Sequence, residues 1–129
     1  MDLILHQDNL AICKLRPSAP IPDWLPRQGF TSVTRTADEL SIVCKQHHLP
    51  PQQEAEADWW VLEIEGPLDF SEVGILADLS RVLAAADISI FVVSTHDTDF
   101  VLIKKQQCQR ALEALHQAGH KIANGGAGC

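Results

Sequence analysis

Between Trp59 and Ala123 the spacing of apolar residues switches repeatedly between two periods, and few folds accept the resulting order of elements. Trp60, Leu62 and Ile64 alternate with Val61, Glu63 and Glu65, which is the two-residue period of a strand running from Trp59 to Glu65 with Leu62 and Ile64 turned to a core. Gly66-Pro67 stops it. From Ser71 to Ala86 the period lengthens: Val73, Leu76, Leu79, Val82, Leu83 and Ala86 fall on one helical stripe, and Asp69 with Glu72 fits a capping box. Ile88 to Ser94 and Asp99 to Lys104 read as strands again, joined by a short polar turn. Cys108, Ala111, Leu112 and Leu115 make a second helical stripe that Gly119 caps, and His120 to Ala123 adds a last strand. The order βαββαβ predicts an α+β fold, an antiparallel sheet with two helices on one face.

The first part is built differently. Leu3 to His6 and Leu10 to Leu15 are short apolar runs, and Gln7-Asp8-Asn9 between them predicts a hairpin turn. Four prolines between Pro17 and Pro26 leave room for at most one helical turn, around Asp23-Trp24-Leu25. Phe30 to Thr36 and Leu40 to Cys44 read as strands joined tightly through Ala37-Asp38-Glu39. The polar stretch from Lys45 to Asp58, with Pro50-Pro51, reads as a linker. The chain therefore divides into an N-terminal half, 1–57, a C-terminal domain, 58–124, and a frayed glycine-rich tail, 125–129.

The halves resemble each other. Val33 to Val43 lies over Val93 to Ile103 at an offset of 60 residues, each segment being an apolar strand, a polar turn ending in an acid, and an apolar strand. The first strands fit at an offset of 50, Arg16-Pro17 over Gly66-Pro67, so the proline-rich stretch sits where most of a first helix is missing.

Seventeen acidic against ten basic side chains give a net charge of −7, which lacks the basic footprint of a nucleic-acid binder and would be repelled by an anionic membrane surface. The N-terminus, Met1-Asp2-Leu3-Ile4-Leu5, is too short and too acidic for a signal peptide, and no stretch reaches the length of a membrane span. A cytoplasmic protein is expected, with Cys13, Cys44, Cys108 and Cys129 as free thiols and those in apolar runs buried.

Ser71-Glu72-Val73-Gly74-Ile75-Leu76-Ala77-Asp78-Leu79, then Arg81-Val82-Leu83-Ala84 and Ile88-Ser89-Ile90, resembles the helix-start motif of ACT domains. Together with Glu65 to Phe70 and Ser94-Thr95-His96-Asp97-Thr98-Asp99, nearly the whole chain is similar to small bacterial tandem-ACT proteins related to the animal arginine sensor CASTOR. Ser71 stands where many ACT domains have Asp, and the first half has no glycine motif. The resemblance implies a tandem ACT fold of ferredoxin-like type. It also implies an allosteric module that binds an amino acid between paired copies, lacks catalytic residues and signals to a regulated partner protein. A homodimer is expected.

The residues suit such a ligand. A zwitterion needs donors for its carboxylate and acceptors for its ammonium. The helix start supplies backbone N–H groups and a positive dipole end, and Gly74, placed in the first turn, allows close approach of a ligand or, equally, tight helix–sheet packing. Asp99 offers a carboxylate to an ammonium or guanidinium, or else serves the turn as Asp97 does; His96 is a possible wall. Arg35, in the matching turn of the first half, reads as solvated, or as reaching an acid or the ligand's carboxylate. The expected ligand-binding set is Asp69, Phe70, Ser71, Val73, Gly74, Ile75, Thr95, His96 and Asp99. Glu72 and Asp99 together hint at a cationic ligand.

Three rivals weigh less. His47-His48 and the His116/His120 pair lack the spacing of a metal site, and no cofactor is implied. No nucleophile elbow, phosphate loop or Cys/His pair marks an enzyme. An interaction module without a small ligand would use Trp24 or Trp59-Trp60 at an interface, where core packing is the simpler role.

Overall fold

The computed structural model describes residues 1–66 and 74–125. It contains strands β1 (Asp2–Leu15), β2 (Ser32–Arg35), β3 (Leu40–Lys45) and β4 (Glu56–Ile64), helix α1 (Ile75–Ala85), strands β5 (Ile90–Ser94) and β6 (Asp99–Lys104), helix α2 (Cys108–Gln117) and strand β7 (Lys121–Asn124). One curled sheet takes the order β2-β3-β1-β4-β6-β5, with β7 also paired to β1.

β1 corrects the sequence reading at Gln7-Asp8-Asn9, which forms no turn. The chain runs straight on as one fourteen-residue strand, with register shifts against β4 between His6 and Leu10 and again between Leu10 and Ile12. The physical reason lies outside the segment. Both flanks of the segment are tied into the sheet, Leu3–His6 to β4 and Asp2–Leu5 to β7 before it and Leu10–Leu15 to β3 after it, so the paired flanks carry the backbone across it in extended form. The polar residues that suggested a turn are satisfied in place: Asp8 lies 3.6 Å from Lys45, and Asn9 Oδ1 accepts a 2.8 Å hydrogen bond from Trp60 Nε1.

β1 also alters the sheet predicted for the second half. It lies between β4 and β7, antiparallel to the first and parallel to the second; every other strand pairing is antiparallel.

Both helices cover one face. Leu79 and Leu83 of α1 and Cys108, Ala111 and Leu115 of α2 pack on Leu3, Leu5, Leu62, Ile64, Val101 and Ile103 of the sheet. The predicted alternation in β4 holds, but its other face is not a wet one. Val61 and Trp59 are buried there with Leu10, Val43 and Leu102, under Phe30, Phe91, Val93 and Phe100. A third cluster joins Cys13, Leu40, Ile42 and Cys44 to Ala19, Trp24 and Leu25, so the proline-rich segment covers β1 and β3 where the first half lacks a helix.

The ends of the elements follow local chemistry. Gly119, at φ 95°, closes α2 just past its last turn, and His120 N–H donates back to the Leu115 carbonyl at 3.0 to 3.1 Å like the Gly119 N–H to His116. Asp87, at φ 60°, does the same for α1, with Ile88 N–H donating to the Leu83 carbonyl. Gly125, read from the sequence as the start of a frayed tail, donates its N–H to the Leu5 carbonyl at 2.7 Å. Residues 126–129 lie outside the described residues.

Candidate functional site

The β5–β6 hairpin carries most of the predicted site that can be described. Thr95 N–H donates to the Thr98 carbonyl at 2.8 Å, Thr95 Oγ1 donates to that same oxygen at 3.1 Å, and Thr98 N–H donates to Thr95 Oγ1 at 3.3 Å. Two threonines thus close the turn on themselves. Thr98, a residue the sequence did not single out, is buried, and its hydroxyl donates to the Ile64 carbonyl at 2.6 Å. The hairpin is therefore fastened to the last residue of β4, from which the chain leaves for the helix start.

Asp99 is half-buried, and its Oδ1 accepts a 2.6 Å hydrogen bond from Ser94 Oγ, its partner across the hairpin. By strand alternation it shares a face with Val101 and Ile103, the face that bears the helices. Its carboxylate is thereby held in one orientation at the end of the sheet. His96 and Asp97 sit at the tip of the turn, His96 Nδ1 2.9 Å from Asp97 Oδ1, with the His96 side chain 85% exposed.

The first half repeats this turn without the carboxylate. Thr36 N–H donates to the Glu39 carbonyl, and Thr36 Oγ1 accepts from the N–H groups of Asp38 and Glu39. Register pairs Arg35 with Leu40 and Ser94 with Asp99, so the two hairpins superpose at an offset of 59 residues, one fewer than the sequence suggested. The slip matters because one residue exchanges the two faces of a strand. Asp99 then corresponds to the fully buried Leu40, not to an acid. Arg35 is exposed, as a solvated arginine would be, and its Nη1 also donates to the Pro17 and Ala19 carbonyls and holds the proline-rich segment.

At the helix start, Gly74 corrects its predicted role. It is the N-cap of α1 at φ 84°, a left-handed conformation that glycine adopts freely, not a residue of the first turn. Among the described residues a β-carbon there would meet nothing within 4 Å, so packing against the described part of the sheet is not why glycine stands there. Ile75 packs its side chain on the cluster beneath the helices, which leaves its backbone N–H as its contribution to the helix start. Asp69, Phe70, Ser71 and Val73, and the Asp69/Glu72 capping box, lie outside the described residues. In the first turn of α1, Asp78 accepts a 2.6 Å hydrogen bond from Arg81, which lowers its carboxyl pKa; the nearby charge of Arg81 and of His120 acts the same way.

Among the described residues the thiols Cys13, Cys44 and Cys108 are free and buried. Burial raises the pKa of Cys13 and Cys108, and burial together with the neighbouring Cys13 pushes Cys44 up to about 11. Among the described residues no group of three or more His, Cys, Asp or Glu side chains could hold a metal, and no helix is long and apolar enough to cross a membrane.

Comparison with known proteins agrees with this geometry. Residues 54–117 match a family model described as an ACT domain, and residues 8–52 match a second model described as an N-terminal domain. The cytosolic arginine sensor for mTORC1 subunit 1 of Bos taurus is 38% identical over 106 residues, covering 71% of this chain and 32% of that protein. The Homo sapiens counterpart is 36% identical over 67 residues, 51% of this chain and 20% of its own length. The chain thus spans about a third or less of these curated relatives. A crystal structure of an Agrobacterium tumefaciens protein is 34% identical with a TM-score of 0.91, covering 99% of this chain and 96% of that one. The regulatory subunit of aspartate kinase from Thermus thermophilus shares the fold at 19% identity and a TM-score of 0.57, over 91% of this chain and 96% of its own.

Proposed function

Because this chain belongs to the ACT-domain family, we propose that it is a cytoplasmic regulatory module that binds an amino acid and catalyses nothing itself. The ligand site lies at the helix start, Asp69 to Leu76, opposite the Thr95–Asp99 turn. The observation that carries this reading is Asp99: a half-buried carboxylate, aligned by Ser94 on a hairpin that Thr98 ties to the end of β4. An ammonium or guanidinium fits that acceptor, and the N–H groups at the start of α1 fit a carboxylate. Leu40 at the matching place favours one such site per chain, in the 58–124 domain rather than the 1–57 half. We propose that a second copy closes the site, which makes the working unit a homodimer that signals to a partner protein. The names of the relatives, an arginine sensor and a regulatory subunit, support a sensing role.

The test is a thermal-shift screen of the full chain against the standard amino acids. A ligand at a hundredfold excess over its Kd stabilises the folded state by about 2.7 kcal/mol. A rise in Tm with one or a few amino acids, lost in Asp99→Ala, is expected. No rise at millimolar concentration with any of them would move the weight to an interaction module without a small ligand. For that second reading the relevant observation is β5, which among the described residues pairs only with β6 and carries half-buried Ile90, Phe91, Val92 and Val93 along the sheet's edge.

A further inference from the structure

On the face of the sheet away from the helices, a groove of about 450 Å³ runs between the 29–32 loop and the β5–β6 hairpin. Its volume is that of a small-molecule site. Phe30, Val93 and Phe100 make its apolar wall, with the two phenylalanine rings edge to face at 5.1 Å. Glu63 is the acid among its lining residues, and its side chain is 28% exposed.

Glu63 is held in position. His6, itself buried, places Nε2 at 2.9 Å from Glu63 Oε1. The other side of the His6 ring is blocked by Gly125, where an added β-carbon would fall 2.6 Å from Nδ1. The imidazole is therefore wedged between the end of β7 and the carboxylate. A carboxylate so fixed beside aromatic rings attracts a cation twice over, by charge-assisted hydrogen bonds and through the ring faces.

The same lining disfavours a ligand carboxylate. None of the lining side chains is cationic. Ser94 and Thr95 already donate their hydroxyl protons, to Asp99 and to the Thr98 carbonyl. An amino acid would set its own carboxylate beside Glu63 with few donors to receive it. We propose that this groove is a second ligand site, for a small primary amine with an apolar body and no carboxylate. Glu63 and Phe100 open on the face of the sheet opposite Asp99, so this groove and the amino-acid site share only the turn residues at their border.

Isothermal titration of the full chain with 2-phenylethylamine, phenylalanine and 2-phenylethanol tests this directly. The three share one ring and differ in charge alone or in an added carboxylate. The amine is expected to bind at least about tenfold more tightly than the other two, the scale of one hydrogen bond to a charged group. Glu63→Gln, which keeps an acceptor for His6, should weaken the amine about tenfold or more. Thr31 is exposed, so Thr31→Lys should fold normally and abolish binding by placing a fixed cation in the groove. Equal binding of the amine and the alcohol would overturn the proposal, as would amine binding that survives both Thr31→Lys and Glu63→Gln.

Discussion

Thr98 and Asp99 are neighbours with opposite tasks. Thr98 directs its hydroxyl inward to the Ile64 carbonyl, whereas Asp99 keeps a carboxylate at the edge of the core. Thr98→Val preserves shape but leaves a buried carbonyl without its donor, and should cost about 1–3 kcal/mol of stability in urea unfolding. An unchanged midpoint would show that the hairpin is not fastened to β4 by this bond. Asp99 and Thr95 were legible in the sequence because turn chemistry marks them. Thr98 was not, since a threonine in a polar turn reads alike whether its hydroxyl meets water or a carbonyl thirty-four residues away. Gly74 was legible as a special residue, but its reason is a positive φ rather than close packing. Glu63 looked like the outer face of a strand because nothing local reveals that Phe30 lines a groove with it.

At the scale of elements, α2 was the most readable. Its stripe is set by its own sequence, and Cys108, Ala111 and Leu115 are its buried residues as the period required. β1 was the least readable. Gln7-Asp8-Asn9 carries every local sign of a turn, and only pairing with distant strands overrules it. The offset between the two hairpins was off by one for a similar reason: residue classes match at 60, whereas hydrogen-bond register decides at 59. The far end of β7 gives a test of its own. Gly125→Ala would press a methyl group to within 2.6 Å of His6 Nδ1 and 2.9 Å of Ile4 Cγ2, and should lower stability by about 1–3 kcal/mol through overpacking. An unchanged Tm would mean that the end of β7 is not held against His6.

For the molecule as a whole, the fold class and the placement of both helices on one face followed from periodicity alone, while the strand order did not. β1 belongs to both parts: its first residues pair with β7 and β4, and its last with β3. The chain should therefore unfold as one cooperative unit. Trp24 packs in the cluster of the first half, and Trp59 and Trp60 lie in β4, so tryptophan fluorescence samples both parts. In urea its transition should coincide with that of the far-ultraviolet circular dichroism; two separated midpoints would show the halves to be independent.

The place of β1 also bears on the timing of biosynthesis. A ribosome makes this strand before any of its neighbours and makes β7, its parallel partner, after all the rest. A middle strand made before its neighbours must wait for a flank that emerges more than a hundred residues later. Such long-range closure slows folding and leaves strand edges open in the interim. The nascent chain thus carries Asp2–Leu5 of this strand without its β7 partner until that segment emerges, which makes the rate of elongation, and any chaperone at the exit tunnel, part of how this sheet comes to be closed.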